Sequence, residues 1–127
     1  GHILLVGSLA AYQPDPALAA YGATKAYVLS LGEALHVELA RHGVGVTVLN
    51  PGFVETGFGA VAGHTPPAIT RPSMLPAAAV ARIGIDALLA RRGSVIAGTL
   101  NGIVALAARL APRVLVAKLI YGSRGKG

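Results

Sequence analysis

The chain has 127 residues, 54% of them hydrophobic, and a formal net charge of +6 from 11 Lys and Arg against 5 Asp and Glu. That length holds one domain or part of one, and the absence of cysteine excludes a disulfide framework, a thiol nucleophile and a thiolate metal site. The charge favours an anionic partner such as a dinucleotide phosphate, an acidic lipid surface or nucleic acid, and the last of these is disfavoured by the lack of Trp and of aromatics interleaved with the scattered basic residues.

His2 to Gly7 is an unbroken apolar run that ends in Ser8, as in a strand buried on both faces of a parallel sheet. The chain opens straight onto this strand, as a fragment of a larger domain would. In an open α/β sheet, ligands bind beyond the carboxyl ends of the strands, which places Ser8 at a crevice. A nucleophile elbow is excluded there, since Val6-Gly7-Ser8-Leu9-Ala10 lacks both flanking glycines of G-x-S-x-G. Pro14 and Pro16 around Asp15 turn the chain back. Ala17 to Arg41 then has helical period, with Val28, Leu31, Leu35 and Leu39 as the expected core stripe and Gly43 as the stop. Tyr21 and Lys25 stand at i and i+4 on one face of that helix. An ammonium about 4 Å from a phenol favours phenolate by a few kcal/mol, which fits the pair to proton transfer.

Val44 to Asn50 is the second expected strand, closed by Pro51-Gly52, a corner where a flat ligand could approach the backbone. Gly57 to Pro76 carries Pro66, Pro67, Pro72 and Pro76 and is expected to form a lid rather than a long regular element. A helix follows from Pro76 to about Arg92, with Val80, Ile83, Ala87 and Leu88 inward and Gly93 as its stop. Ser94 to Ala97 is a third strand. Asn101 to Tyr121 divides into two helical pieces at Pro112, with Arg109 and Arg113 on one face opposite Ile103, Leu106, Leu110, Val114 and Leu115. That apolar surface is expected to pack on its own domain, the alternative being a membrane interface or a partner. Gly122 to Gly127 reads as a solvated basic tail. His36 and His42 read as surface or capping residues, no histidine pair has metal-binding spacing, and neither a Walker sequence nor a dinucleotide fingerprint is present.

Ser8, Tyr21 and Lys25 fit the pattern S-x12-Y-x3-K, and Pro51-Gly52-Phe53-Val54-Glu55-Thr56 reads P-G-x-V-x-T. On these residues the chain resembles the short-chain dehydrogenase/reductase family, over nearly its whole length but only across the second half of that family's domain. The resemblance implies an α/β fold: part of a Rossmann-type three-layer α/β/α parallel sheet, comprising its last three strands and their helices. Residues 101–127 would add an amphipathic helical extension and basic tail to the 1–127 domain portion. The implied activity is hydride transfer between a nicotinamide and a carbonyl or alcohol substrate. Tyr21 would act as general acid/base, Ser8 would orient the oxygen, and Lys25 would stabilise phenolate and bond the nicotinamide ribose. Pro51, Gly52 and Val54 would line the nicotinamide pocket, and Thr56 would bond its carboxamide or phosphate.

The implied cofactor is NADP or NAD, with charge and family habit favouring NADP. The implied substrate is a small apolar carbonyl or alcohol compound covered by Phe53, Phe58, Met74 and Leu75. Family habit also implies a homodimer or homotetramer built on the long helix, with a cytoplasmic location, and the amphipathic C-terminal helix leaves peripheral membrane contact as the alternative to packing on its own domain. The glycine-rich turn, the NAD/NADP-selecting residue and the relay asparagine of the family would lie upstream of Gly1. The chain alone is therefore expected to bind cofactor poorly and to leave its first strand with an unpaired edge. The competing reading is a non-catalytic assembly or membrane/partner-binding module of the same fold.

Overall fold

The computed structural model describes residues 1–56 and 68–124, with the side chains of Ile69 and Arg124 left aside. Phe58, Pro66, Pro67 and the end of the basic tail fall outside the described residues. Three parallel strands, β1 (His2–Val6), β2 (Gly45–Asn50) and β5 (Ser94–Ile96), form one sheet in the order β1-β2-β5. A second, two-stranded sheet pairs β3 (Val54–Glu55) with β4 (Leu75–Pro76). The helices are α1 (Ala19–Ala40), α2 (Ala77–Leu89), α3 (Thr99–Leu110) and α4 (Arg113–Arg124). Short 3-10 turns cover Leu9–Tyr12 and Ala68–Ser73. This is the α/β architecture with a parallel sheet that the family resemblance implied.

The central strand β2 is buried along its whole length, as a strand covered on both faces must be. One core cluster joins Leu29 of α1 to Val48, Tyr12 and Ala105; a second joins Val80 of α2 to Leu49 and Ala97. β1 lies at the sheet edge, with Ile3 and Val6 exposed, and no strand among the described residues pairs with its outer side.

Several sequence expectations are corrected. In α1 the buried positions are Gly22, Leu29 and Gly32, while Leu31 is exposed. The face is set by close approach: a Cβ on Gly32 would overlap Cγ2 of Val48 and stand 3.1 Å from Cδ1 of Leu5. Small residues therefore meet the sheet, and larger ones flank them. His36 is half-buried rather than a plain surface residue, its Nδ1 lying 2.9 Å from the Val46 carbonyl oxygen and tying α1 to β2. Helix α2 stops at Leu89 rather than Arg92, and Arg91 takes the left-handed conformation at φ 53 that Gly93 was expected to supply. Gly43 does adopt positive φ, 73, after α1.

The break at Pro112 is present, with Ala111 extended between α3 and α4. That break separates Arg109 from Arg113, which do not share one continuous helix face; Arg109 lies over the ring of Tyr12, 5.4 Å from its centroid. The expected packing of Ile103, Leu106, Leu110, Val114 and Leu115 onto the domain does not occur, and all five are exposed. Gly122 and Ser123 belong to α4 rather than to a tail.

Candidate active site

Parallel strands carry their chains in one direction, so the turns that follow β1 and β2 open on the same end of the sheet. After β1, Gly7 N–H donates to the Leu49 carbonyl at 2.7 Å, and Leu9 N–H donates to the Pro51 carbonyl at 2.8 Å. These two bonds clamp Ser8 beside the Pro51-Gly52 corner. Ser8 is nearly buried, and its Oγ accepts from Ala10 N–H at 3.1 Å, capping the Leu9–Tyr12 turn.

Helix α1 delivers Tyr21 and Lys25 to this end of the sheet. Its start is fixed by Gly22, whose N–H donates to the Leu18 carbonyl at 2.9 Å and whose missing side chain leaves room for Cβ of Asp15, 3.1 Å from where a Cβ would stand. Lys25 turns back toward β1: its Nζ donates to the Val6 carbonyl at 3.1 Å and sits 5.7 Å from the centroid of the Tyr21 ring. The ammonium thus lies between the last carbonyl of β1 and the phenol, two residues along the backbone from Ser8. Tyr21 remains 45% exposed, so its ring is open to an incoming molecule.

The expected cofactor-lining residues divide. Pro51 and Gly52 stand at the corner bonded to the Ser8 turn. Val54 opens β3 and belongs to the two-stranded sheet rather than to the sheet that carries Ser8, and Thr56 follows that strand, exposed. Leu75, expected in a pocket wall, packs instead with Leu49, Val80 and Ala97 in the core. Phe53 is exposed.

Gly52 has a reason that the sequence did not show. A Cβ there would meet Nδ2 of Asn101 at 2.8 Å, so the space is taken by a side chain of the same protein rather than kept for a ligand. Asn101 is buried, and its Nδ2 donates to the carbonyls of Ala97 at 2.8 Å and Ser73 at 3.2 Å. One side chain thus fastens α3 to the Pro51-Gly52 corner and to the segment leading into β4. Beneath the site, Asn50 Nδ2 lies 3.3 Å from the hydroxyl of Tyr12, and Ser94 Oγ donates to Glu33 at 2.9 Å. Burial pushes the Tyr12 phenol above its ordinary range, and Glu33 adds to this, while Arg109 and Ser94 pull it down. Among the described residues no group of acidic, histidine or cysteine side chains could hold a metal.

Comparison with known proteins identifies a family and a fold. A family model described as short chain dehydrogenase matches residues 1–66. An uncharacterized oxidoreductase of Staphylococcus epidermidis is 45% identical over 56 residues, covering 44% of this chain and 24% of the relative. Dehydrogenase/reductase SDR family member 4 of Bos taurus is 41% identical over 66 residues, covering 52% of this chain and 24% of the relative. The chain thus spans about a quarter of the length of these curated relatives. Among solved structures, a short chain dehydrogenase from Burkholderia cenocepacia in complex with NADP is 29% identical at TM-score 0.66, covering 94% of this chain and 49% of that one. A 7beta-hydroxysteroid dehydrogenase aligns at TM-score 0.79 and 23% identity, covering 94% of this chain and 47% of that one, a likeness of fold.

Proposed function

The chain belongs to the short chain dehydrogenase family, and from that premise we propose that it carries the catalytic half of a nicotinamide-dependent oxidoreductase acting on a carbonyl or alcohol group. The observation that supports this reading most is the position of Lys25, bonded to the end of β1 and set against the Tyr21 ring beside Ser8. A lysine serving only solubility would extend into water. In the proposed site the role of this ammonium is to stabilise negative charge on the phenol oxygen.

In the proposed reaction Tyr21 gives its phenolic proton to the substrate oxygen during reduction and takes it back during oxidation. Ser8 donates a hydrogen bond to the same oxygen and fixes its direction, once its Oγ–H, which the cap to Ala10 leaves free to donate, is turned outward. Lys25 stabilises phenolate and, because the Val6 carbonyl occupies one of three ammonium donors, has donors to offer a ribose hydroxyl. Pro51 and Gly52 fit the nicotinamide end of the site as backbone walls, with Val54 and Thr56 at its outer rim. When bound, the nicotinamide would supply or accept the hydride at the carbonyl carbon. NADP is favoured over NAD by the positive charge of the chain.

The glycine-rich turn for the pyrophosphate is not in this sequence. The open edge of β1, with Ile3 and Val6 exposed, fits further parallel strands bearing it. Within such a protein the substrate is a small apolar compound, and the outward side of α1 is the surface for a homodimer or homotetramer. The test is Tyr21→Phe in a protein that holds both halves. It should keep its fold and its cofactor affinity while turnover falls about 10²- to 10⁴-fold. Retained turnover would remove Tyr21 from the mechanism.

A further inference from the structure

Helix α3 is built the wrong way round for a helix that covers a core. Its buried positions are Asn101 and Ala105, and its large aliphatic side chains face water: Ile103 and Leu106 are each 60% exposed and Leu110 80%. Asn101 is held inward by the carbonyls of Ser73 and Ala97, while Arg109 is exposed and lies over the ring of Tyr12. Helix α4 buries Val116 and leaves Val114, Leu119 and Tyr121 exposed on either side of Lys118. Beside α3, an open apolar groove lined by Ile83, Ile96, Thr99, Ile103 and Leu106 extends this surface toward α2. Scattered single hydrophobic residues need no explanation, but aliphatic side chains exposed this densely along two successive helices mark a docking surface.

We propose that the outward face of α3 and α4 docks on an anionic membrane surface. Charge decides the occupant. No acidic residue follows Asp86 in the sequence, so every charge on the two helices, including Arg109, Arg113 and Lys118, is positive. A second copy would set this face against its own like charges with no acid to pair them, whereas a leaflet of acidic headgroups takes up both the aliphatic side chains and the cations. Tyr121 suits the same boundary, since its ring is apolar and its hydroxyl stays hydrated. Among the described residues no helix is long and apolar enough to cross a membrane, so the contact is one of lying on the surface. This inference stands apart from the proposed catalysis, because none of its residues belongs to the Ser8, Tyr21 and Lys25 site.

The test is co-sedimentation of the purified protein with vesicles of phosphatidylglycerol and phosphatidylcholine in equal parts, against vesicles of phosphatidylcholine alone. The protein should sediment with the acidic vesicles, and the bound fraction should fall at least about tenfold on neutral vesicles or at about 0.5 M salt. Leu106→Glu with Leu110→Glu should cause a comparable loss while circular dichroism stays unchanged, because both side chains already face water. Arg113→Glu with Lys118→Glu should do the same through charge alone. Failure to sediment with acidic vesicles, or sedimentation indifferent to these substitutions, would overturn the proposal. So would an oligomer that Leu106→Glu with Leu110→Glu dissolves in the absence of lipid, which would assign the face to a second copy.

Discussion

Replacing Gly32 with alanine tests how the fold holds Tyr21 and Lys25 in place. In an exposed helix interior, glycine to alanine stabilises by about 1 kcal/mol. Gly32, however, faces β2, where the new Cβ would overlap Cγ2 of Val48 and crowd Cδ1 of Leu5 at 3.1 Å. Ordinary carbon contacts lie at about 3.5–4.0 Å, so α1 must lift from the sheet or Val48 must leave its rotamer. Overpacking of this kind costs about 1–3 kcal/mol, which outweighs the propensity gain and leaves a net loss of about 0–2 kcal/mol. Gly102 provides the control, because it lies within α3 with nothing within 4 Å of an added Cβ. Gly102→Ala should therefore gain close to the full propensity term. Urea denaturation of the two variants under one set of conditions reads the difference, and Gly32→Ala should be the less stable by about 1–3 kcal/mol, with the lower midpoint. A displacement of α1 also moves Tyr21 and Lys25, so in a protein that holds both halves Gly32→Ala should lose turnover, since a shift near 1 Å is worth up to about 10²-fold. Equal stabilisation by both substitutions would show that α1 is not seated on Val48 as described.

Asn101→Ala removes the donor to two carbonyls and empties the space beside Gly52; it should destabilise by about 1–3 kcal/mol in chemical denaturation, and a neutral effect would refute its role as a fastener. Tyr12 titrates higher folded than unfolded, so its contribution is complete below the ordinary phenol range and is lost as pH rises through the folded value. Tyr12→Phe should flatten the alkaline fall in thermal stability, and an unchanged alkaline limb would contradict the burial-driven shift. The isolated chain, with no pyrophosphate-binding turn, should give no saturable fluorescence response to micromolar NADPH; saturation there would show that this half binds the cofactor unaided.

What the sequence made legible was what depends on local pattern. The three strands of the main sheet are short apolar runs, α1 and α2 have helical period, and the break between α3 and α4 follows from Pro112. Less legible was which side of each helix faces inward. In α1 the choice is made by Gly22 and Gly32, whose lack of a side chain carries no hydrophobic signal but permits contact with Asp15 and Val48. In α3 the apolar pattern pointed to core packing, yet Asn101 and Ala105 face inward because Asn101 bonds the carbonyls of Ser73 and Ala97 and Ala105 packs in the cluster that holds Tyr12. Such partners come from tertiary folding and have no fixed spacing.

For the candidate site, the motif spacing placed Ser8, Tyr21 and Lys25 on elements that the sheet brings to one end. The reason for Gly52 could not be read, since Asn101 stands far along the chain. Nor could the short β3–β4 pairing, because two-residue strands carry no period.

The central claim is that Tyr21 and Lys25 act as one acid/base unit. The most direct test is turnover at saturating cofactor for Tyr21→Phe, Lys25→Met and the double variant, in a protein that contains both halves of the domain. Residues working through one another are strongly non-additive, so the double variant should turn over no more slowly than Tyr21→Phe alone, within about twofold. A double variant whose loss equals the product of the two single losses would mean that Lys25 acts independently of the phenol, and the proposed unit would not exist.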